Sequence, residues 1–216
     1  MLYAVVILIA NLIIICGHLI FAVTDGGSSI LRAVVTPPFL TVAVIAVDGI
    51  FAFIVRRLPE KWFSVESGLS TVSHAESDLY RRLGVRRWRD KIPELGMVTG
   101  FHKDHIYEPT NNEYLRRFVL EANYGAIIHF VCVPAGLLMM LLVPYAQAIT
   151  VGIPVILVNA VLNLMPAFVL RYNVPKLISL MKLNERRAKK SVTAEKPSPR
   201  ADAGRKINLG RKNKRS

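Results

Sequence analysis

Cysteine is scarce in this 216-residue chain, with only Cys16 and Cys132. Both fall inside uncharged apolar runs, so a disulfide framework of the secreted kind has no support and the two read as packing residues. A glycine-rich phosphate loop, a GxSxG elbow and a CxxC pair are also missing. Their absence removes the usual signatures of nucleotide binding, α/β-hydrolase chemistry and thiol redox chemistry. No internal repeat is visible, which gives no reason to expect an inverted-repeat transporter. Acidic residues are few: 15 Asp and Glu stand against 28 Lys and Arg, for a net charge of +13. Because long stretches carry no charge at all, the charges must be segregated.

What fills those stretches is hydrophobic. Apolar residues make up 52% of the chain and the mean hydropathy is +0.38, more than one small soluble domain can bury. Four runs approach or exceed the roughly 20 residues that an α-helix needs to cross a bilayer. Residues 2–23 contain no charged side chain, and 39–55 contain one, Asp48. Residues 125–146 have His129 as their one group titrating near neutrality, and 148–170 are uncharged, with Asn159 and Asn163 as polar members. The pattern predicts an all-α integral membrane protein with about four transmembrane helices. Residues 2–23 are too long and lack the basic start of a cleaved signal peptide, so they are expected to stay in the mature protein.

The layout divides into a first hairpin (1–55), a loop (56–124), a second hairpin (125–170) and a tail (171–216). The loop has 12 Lys/Arg and the tail 15, whereas the two short connections hold Arg32 alone. The positive-inside bias therefore predicts a cytoplasmic N-terminus, loop and tail in a multi-pass cell-membrane protein. From about 184 the tail is rich in Lys, Arg, Ser, Ala and Pro without apolar periodicity, which predicts disorder and attraction to anionic headgroups rather than to nucleic acid. In the loop, Ser73 and Glu76 have capping-box spacing. After them Leu79, Leu83, Val85, Trp88 and Ile92 form an apolar stripe among Arg81, Arg82, Arg86, Arg87 and Arg89. Gly84 interrupts it and Pro93 ends it. This is either an interfacial amphipathic helix or a charged helix packed on the rest of the loop.

Ionisable groups at membrane depth are costly and are functional candidates by default. His129 lies about one turn inside the third run, and Glu121 precedes it by eight residues, within roughly 80° on a helix. Asn159 and Asn163 share a face at i,i+4, with Pro166 just beyond. The alternatives are structural: a histidine bonding across helices and asparagines serving helix association. Asp48 and His18 are also possible partners, but the rotations of their helices are not given by the sequence, and both are read as structural. An HxxxD spacing (His74, Asp78) and a His102, Asp104, His105 group are unspecific, and no metal site is assigned.

The strings YRRLGVRRWRDKIPEL (80–95), EYLRRFVLEANYGAIIHF (113–130) and NLMPAFVLRYNVPKL (163–177), with Phe101 and Lys103 between, resemble the glycosyl-4,4'-diaponeurosporenoate acyltransferase (CrtO-type) family. The likeness runs over roughly residues 60–177 and marks Glu76, Tyr80, Trp88, Asp90, Pro93, Lys103, Glu121, His129, Asn163, Pro166, Arg171, Tyr172 and Asn173. Ala126 and Val174 depart from the family pattern.

The resemblance implies a membrane enzyme moving a long-chain acyl group from an acyl thioester co-substrate, acyl-CoA or similar, to a sugar hydroxyl of a glycosylated carotenoid or related glycolipid. No bound cofactor is implied. His129 is the candidate base and Glu121 its orienter or a sugar ligand. Asn163 is a candidate donor to the oxyanion or the sugar, and Lys103 and Arg171 are candidate phosphate ligands. Trp88, Glu76, Tyr80, Tyr172 and Asn173 complete the substrate-binding candidates. Two other readings compete: a non-catalytic protein binding anionic lipid or a partner through its basic segments, and a small transporter. Oligomeric state stays open.

Overall fold

A computed structural model describes residues 2–25, 29–92 and 106–195, except the side chains of residues 2, 25, 146 and 192–195. Among the described residues the regular structure is entirely helical. The helices are α1 (Leu2–Asp25), α2 (Ile30–Arg56), α3 (His74–Arg82), α4 (Val85–Trp88), α5 (Asn112–Leu137) and α6 (Ile153–Glu195), joined by short 3₁₀ turns. Four of them, α1, α2, α5 and α6, are long and apolar enough to span a membrane. Their surfaces are also inverted relative to a soluble bundle. Leu8, Ile13, Ile20, Val42, Ile45 and Leu157 lie exposed on the helix exteriors, an arrangement that suits lipid rather than water.

Boundaries differ from the sequence expectation in three places. The second span starts at Ile30 rather than 39, because Pro37 and Pro38 are accommodated inside the helix, as prolines in membrane helices often are. The third starts outside the apolar run: Asn111 caps α5 by accepting from the Glu113 and Tyr114 amides, and Leu138–Leu142 continues it as a 3₁₀ turn. The fourth opens with a π-turn, Ala148–Gly152, and α6 then runs 43 residues, about 64 Å at 1.5 Å per residue. This helix overshoots a bilayer core of about 30 Å. It therefore carries regular structure past 184, where the sequence predicts disorder. Its Glu, Arg, Ala and Lys are good helix formers, and Asn184 Nδ2 is anchored to Pro109 O and Asn112 Oδ1. The tail beyond 195 lies outside the described residues.

Helices α5 and α6 form the central pair. Leu115, Phe118, Val119 and Ala122 of α5 pack on Val174, Leu177 and Met181 of α6 near the loop end. Ile14, Leu40, Val44, Met139, Val151 and Val155 close the opposite end. There the buried His18 ring meets Thr150 Oγ1 through Nδ1 at 2.9 Å, which ties α1 to the π-turn. Of the two cysteines, Cys132 is buried as expected and Cys16 is exposed on α1 instead of packing, because α1 is covered mainly along its α2 side.

The loop helix is broken as Gly84 suggests. Gly84 adopts φ +63°, a left-handed conformation that favours glycine, and ends α3 before α4 begins. Tyr80 and Val85 are buried against Val169 of α6, with Trp88, Ile92, Phe168 and Tyr172 around them. Leu79 and Leu83 face outward. The stripe thus packs partly on the bundle rather than presenting one continuous apolar face.

Candidate active site

The buried stripe of α2 runs through Ala33, Pro37, Leu40, Val44 and Val55. Asp48, one turn past Val44, lies along the same side and meets α6. There Asn163 Nδ2 donates to Asp48 Oδ2 at 3.0 Å and to Asn159 Oδ1 at 2.8 Å. Asn159 Nδ2 in turn donates to the Cys132 carbonyl at 3.2 Å. On α5, His129 Nδ1 lies 2.8 Å from Asn163 Oδ1. Asp48, His129 and Asn163 therefore form one hydrogen-bonded chain across three helices, with Asn163, 7% exposed, at its centre.

The chemistry of these groups sets the protons. Both amide hydrogens of Asn163 point to acceptors, so its Oδ1 is an acceptor and His129 Nδ1 carries the hydrogen between them. The neutral imidazole then has its lone pair on Nε2, which has no hydrogen-bond partner among the described residues. His129 is only partly buried. In this tautomer Nε2 is the nitrogen with acceptor capacity. The Asn163 amide hydrogens are committed to Asp48 and Asn159, which leaves none directed to an oxyanion.

Small residues make room for this chain. Along α5, Gly125, His129, Cys132 and Gly136 recur at helical spacing on one side. A Cβ added at Gly136 would lie 2.6 Å from Asn159 Nδ2, and one at Gly125 2.9 Å from Leu170 Cδ1. Replacement of Gly136 by alanine is expected to displace the Asn159 amide and cost about 1–3 kcal/mol. A thermal-unfolding comparison in detergent checks this, and an unchanged midpoint would contradict it.

Two ionic clusters cap the chain at its loop end. Glu121 and Arg171 each lie eight residues from their partner in the chain, His129 and Asn163, or about 12 Å along the helix axis. Glu121 sits between Arg56, at 2.6 Å, and Arg117, at 3.2 Å. The partner at His129 Nδ1 is accordingly Asn163. Arg171 is pinned to the loop: Nε and Nη2 reach the two Glu76 oxygens at 2.8 and 2.9 Å, Nη2 also reaches Thr71 O at 3.2 Å, and Nη1 donates to Leu69 O. Tyr80 Oη donates to Glu76 Oε1 at 2.5 Å. With its donors engaged, Arg171 is a clamp and not an open phosphate ligand. Ser73 Oγ caps α3 by accepting from the Glu76 amide, and the Glu76 carboxylate also reaches Arg171.

Burial opposes ionisation of Glu76, but the hydrogen bonds from Arg171 and Tyr80 outweigh it and hold the carboxyl below its ordinary value. Burial and the adjoining Glu76 push the Tyr80 phenol upward, so it stays a donor. A depressed folded value means that the clamp contributes fully above the unfolded glutamate value, about 4.3, and is lost as pH falls through the lower folded value. Protease resistance of 60–92 is thus expected to be constant from pH 7 to about 5 and to fall only in stronger acid. A loss between pH 7 and pH 6 would contradict it.

The remaining sequence candidates lie at the rim. Trp88 Nε1 donates to Leu83 O at 3.0 Å. The Tyr172 ring has Lys176 Nζ 3.5 Å and the Arg89 guanidinium 5.9 Å from its centroid, and Asn173 Oδ1 accepts from Lys176. Lys103, with His102, Asp104 and His105, lies outside the described residues. His74 opens α3 and Asp78 pairs with Arg81. No group of three or more His, Cys, Asp or Glu able to hold a metal occurs among the described residues. The member that the sequence offers as a possible partner, but that reads as structural there, is Asp48. Its signal was present, a single carboxylate in an apolar run, but only the packing of α2 shows which way it faces.

No curated protein and no solved structure matches the chain. The glycosyl-4,4'-diaponeurosporenoate acyltransferase family, CrtO, matches residues 59–183. That segment holds His129, Asn163 and the Glu76–Arg171 clamp, on a scaffold with four membrane-length helices. With more than half its length inside the match, the chain belongs to the CrtO family, an acyltransferase family of carotenoid biosynthesis.

Proposed function

We propose that this chain transfers a long-chain acyl group from a thioester, acyl-CoA or similar, to a sugar hydroxyl of a glycosylated carotenoid or related membrane glycolipid. The observation that carries this reading is the His129–Asn163 pair at membrane depth, with Nε2 left as the acceptor. In the reaction Nε2 takes the proton of the acceptor hydroxyl as its oxygen attacks the thioester carbonyl. The tetrahedral intermediate then collapses, the C–S bond breaks, and the imidazolium returns the proton to the departing thiolate. One ester and one free thiol result.

The layered arrangement suits substrates from two phases. A lipid-borne sugar reaches a histidine about 12 Å below the ionic rim, while a water-soluble donor stays at that rim. Lys176, beside Tyr172, is a described cation placed to meet donor phosphates, with Lys103 as a further candidate. Glu121 holds Arg56 and Arg117 at the same level. The basic loop and tail support a cytoplasmic rim, where such donors occur, and the tail adds attraction to anionic headgroups.

The test is reconstitution of the purified protein in vesicles with a glycosylated carotenoid and an acyl thioester. Product mass should rise by one acyl group as free thiol appears in equal amount. Thiol release at the same rate without the acceptor would overturn the transfer reading, and no reaction with any glycolipid acceptor would favour a binding role.

A further inference from the structure

Asp48 lies outside the matched segment 59–183, on a helix that supplies no other group to the His129 chain. We propose that Asp48 is a positioning residue for His129, acting through Asn163 to fix which imidazole nitrogen bears the proton; this rests on the acyltransferase reading above.

An asparagine amide can sit in either of two orientations related by a flip, and its neighbours decide which. At Asn163 the neighbours are His129 Nδ1 on one side and, on the other, Asp48 Oδ2 with both the side-chain and the backbone oxygen of Asn159, the latter at 3.2 Å. Imidazole Nδ1 accommodates both orientations, since it can donate or accept. Asp48 Oδ2 accepts from Asn163 Nδ2 at 3.0 Å, and a carboxylate oxygen without hydrogen can only accept, so Asp48 favours the NH₂ group there and turns Oδ1 toward His129. Asn159 supports the same orientation through its bond to the Cys132 carbonyl. Oδ1 turned toward His129 requires hydrogen on Nδ1 and leaves Nε2 as acceptor. The flipped amide would put hydrogen on Nε2, and the base would become a donor.

Asp48 is bound to this role by its surroundings. Its backbone carbonyl accepts from Cys132 Sγ at 3.7 Å, which ties α2 to α5 beside the histidine. Its second carboxylate oxygen, Oδ1, is buried without a hydrogen-bond partner among the described residues. A purely structural contact would not require a carboxylate with one oxygen unsatisfied in an apolar span, because an asparagine or a leucine would be cheaper there.

The test combines tautomer and turnover. With ¹⁵N-labelled histidine, and the His129 signal identified by its loss in His129→Gln, the wild-type protein should show hydrogen on Nδ1. In Asp48→Asn the amide at 48 can donate to Asn163 Oδ1, so a population with hydrogen on Nε2 should appear. kcat should fall about 10–100-fold with KM nearly unchanged, and Asp48→Glu should restore part of it. Asp48→Leu, which keeps the Asn159 contact, separates loss of the carboxylate from insertion of a competing donor and should also lower kcat. Hydrogen on Nε2 in the wild type would overturn the proposal, as would Asp48→Asn with unchanged tautomer and kcat. The tautomer needs no substrate, so a protein with the expected Nδ1–H signal and no transfer on any acceptor would sink the acyltransferase reading while leaving this one standing.

Discussion

Replacement of His129 by alanine is expected to lower kcat for acyl transfer by about 10²–10⁴-fold, the usual contribution of a positioned general base. That corresponds to roughly 3–5 kcal/mol on the barrier. KM should change little, because the proton is moved in the transition state and not in the bound ground state. Alanine also leaves Asn163 Oδ1 buried without its partner, which costs folding about 1–3 kcal/mol. His129→Gln separates the two effects, since a glutamine amide can still donate toward Asn163 but cannot take a proton at neutral pH. Both variants should lose transfer, and the glutamine variant should keep wild-type thermal stability more closely. A glutamine variant with kcat within a few-fold of wild type would remove His129 from the chemistry.

The second large effect is expected at Arg171. Its side chain is 10% exposed and that of Glu76 is 24% exposed, so the pair is mostly shielded from water. Removing one partner of a shielded pair strands the other. Arg171→Ala leaves the Glu76 carboxylate with Tyr80 as its remaining side-chain donor and the carbonyls of Leu69 and Thr71 without the Arg171 donor. The expected cost is roughly 2–4 kcal/mol, below the full range for a deeply buried pair because Glu76 partly reaches solvent. Arg171→Lys should recover only part of this, because an ammonium cannot reproduce the two-pronged contact. The measurement is hydrogen exchange over 60–92, where protection should fall selectively while α5 stays protected. Activity should fall too, since Tyr80 packs on Phe168 and Phe168 on Phe130, next to His129. Unchanged exchange over 60–92 in Arg171→Ala would show that the clamp does not hold the loop.

The four spans were legible because a charge-free apolar run of membrane length has few other uses. Their ends were less legible. Pro37 and Pro38 look like a helix boundary in water but lie within α2, and the polar first turns of α5 belong to a helix whose apolar run starts only at residue 125. At the site, His129 and Asn163 stood out as polar groups in apolar surroundings, and they do meet. Which groups pair was not legible, because pairing depends on helix rotation, which one sequence does not specify. Glu121 falls on the side of α5 that meets the arginines, so its eight-residue spacing from His129 leads to Arg56 instead. Arg171 read as a phosphate ligand by residue type, yet its partners come from a loop about 100 residues earlier in the chain. The same limit applies to Asp48, whose part in the chain appears only once α2 is docked against α6.

The most direct test of the account is lipid mass spectrometry on membranes of the native host with the gene deleted, then restored as wild type or as His129→Ala. With the wild type a glycosylated lipid should gain the mass of one acyl group, and the deletion or the alanine variant should show only the unacylated form. A lipid profile identical in all three strains, with the protein present in the membrane, would contradict it.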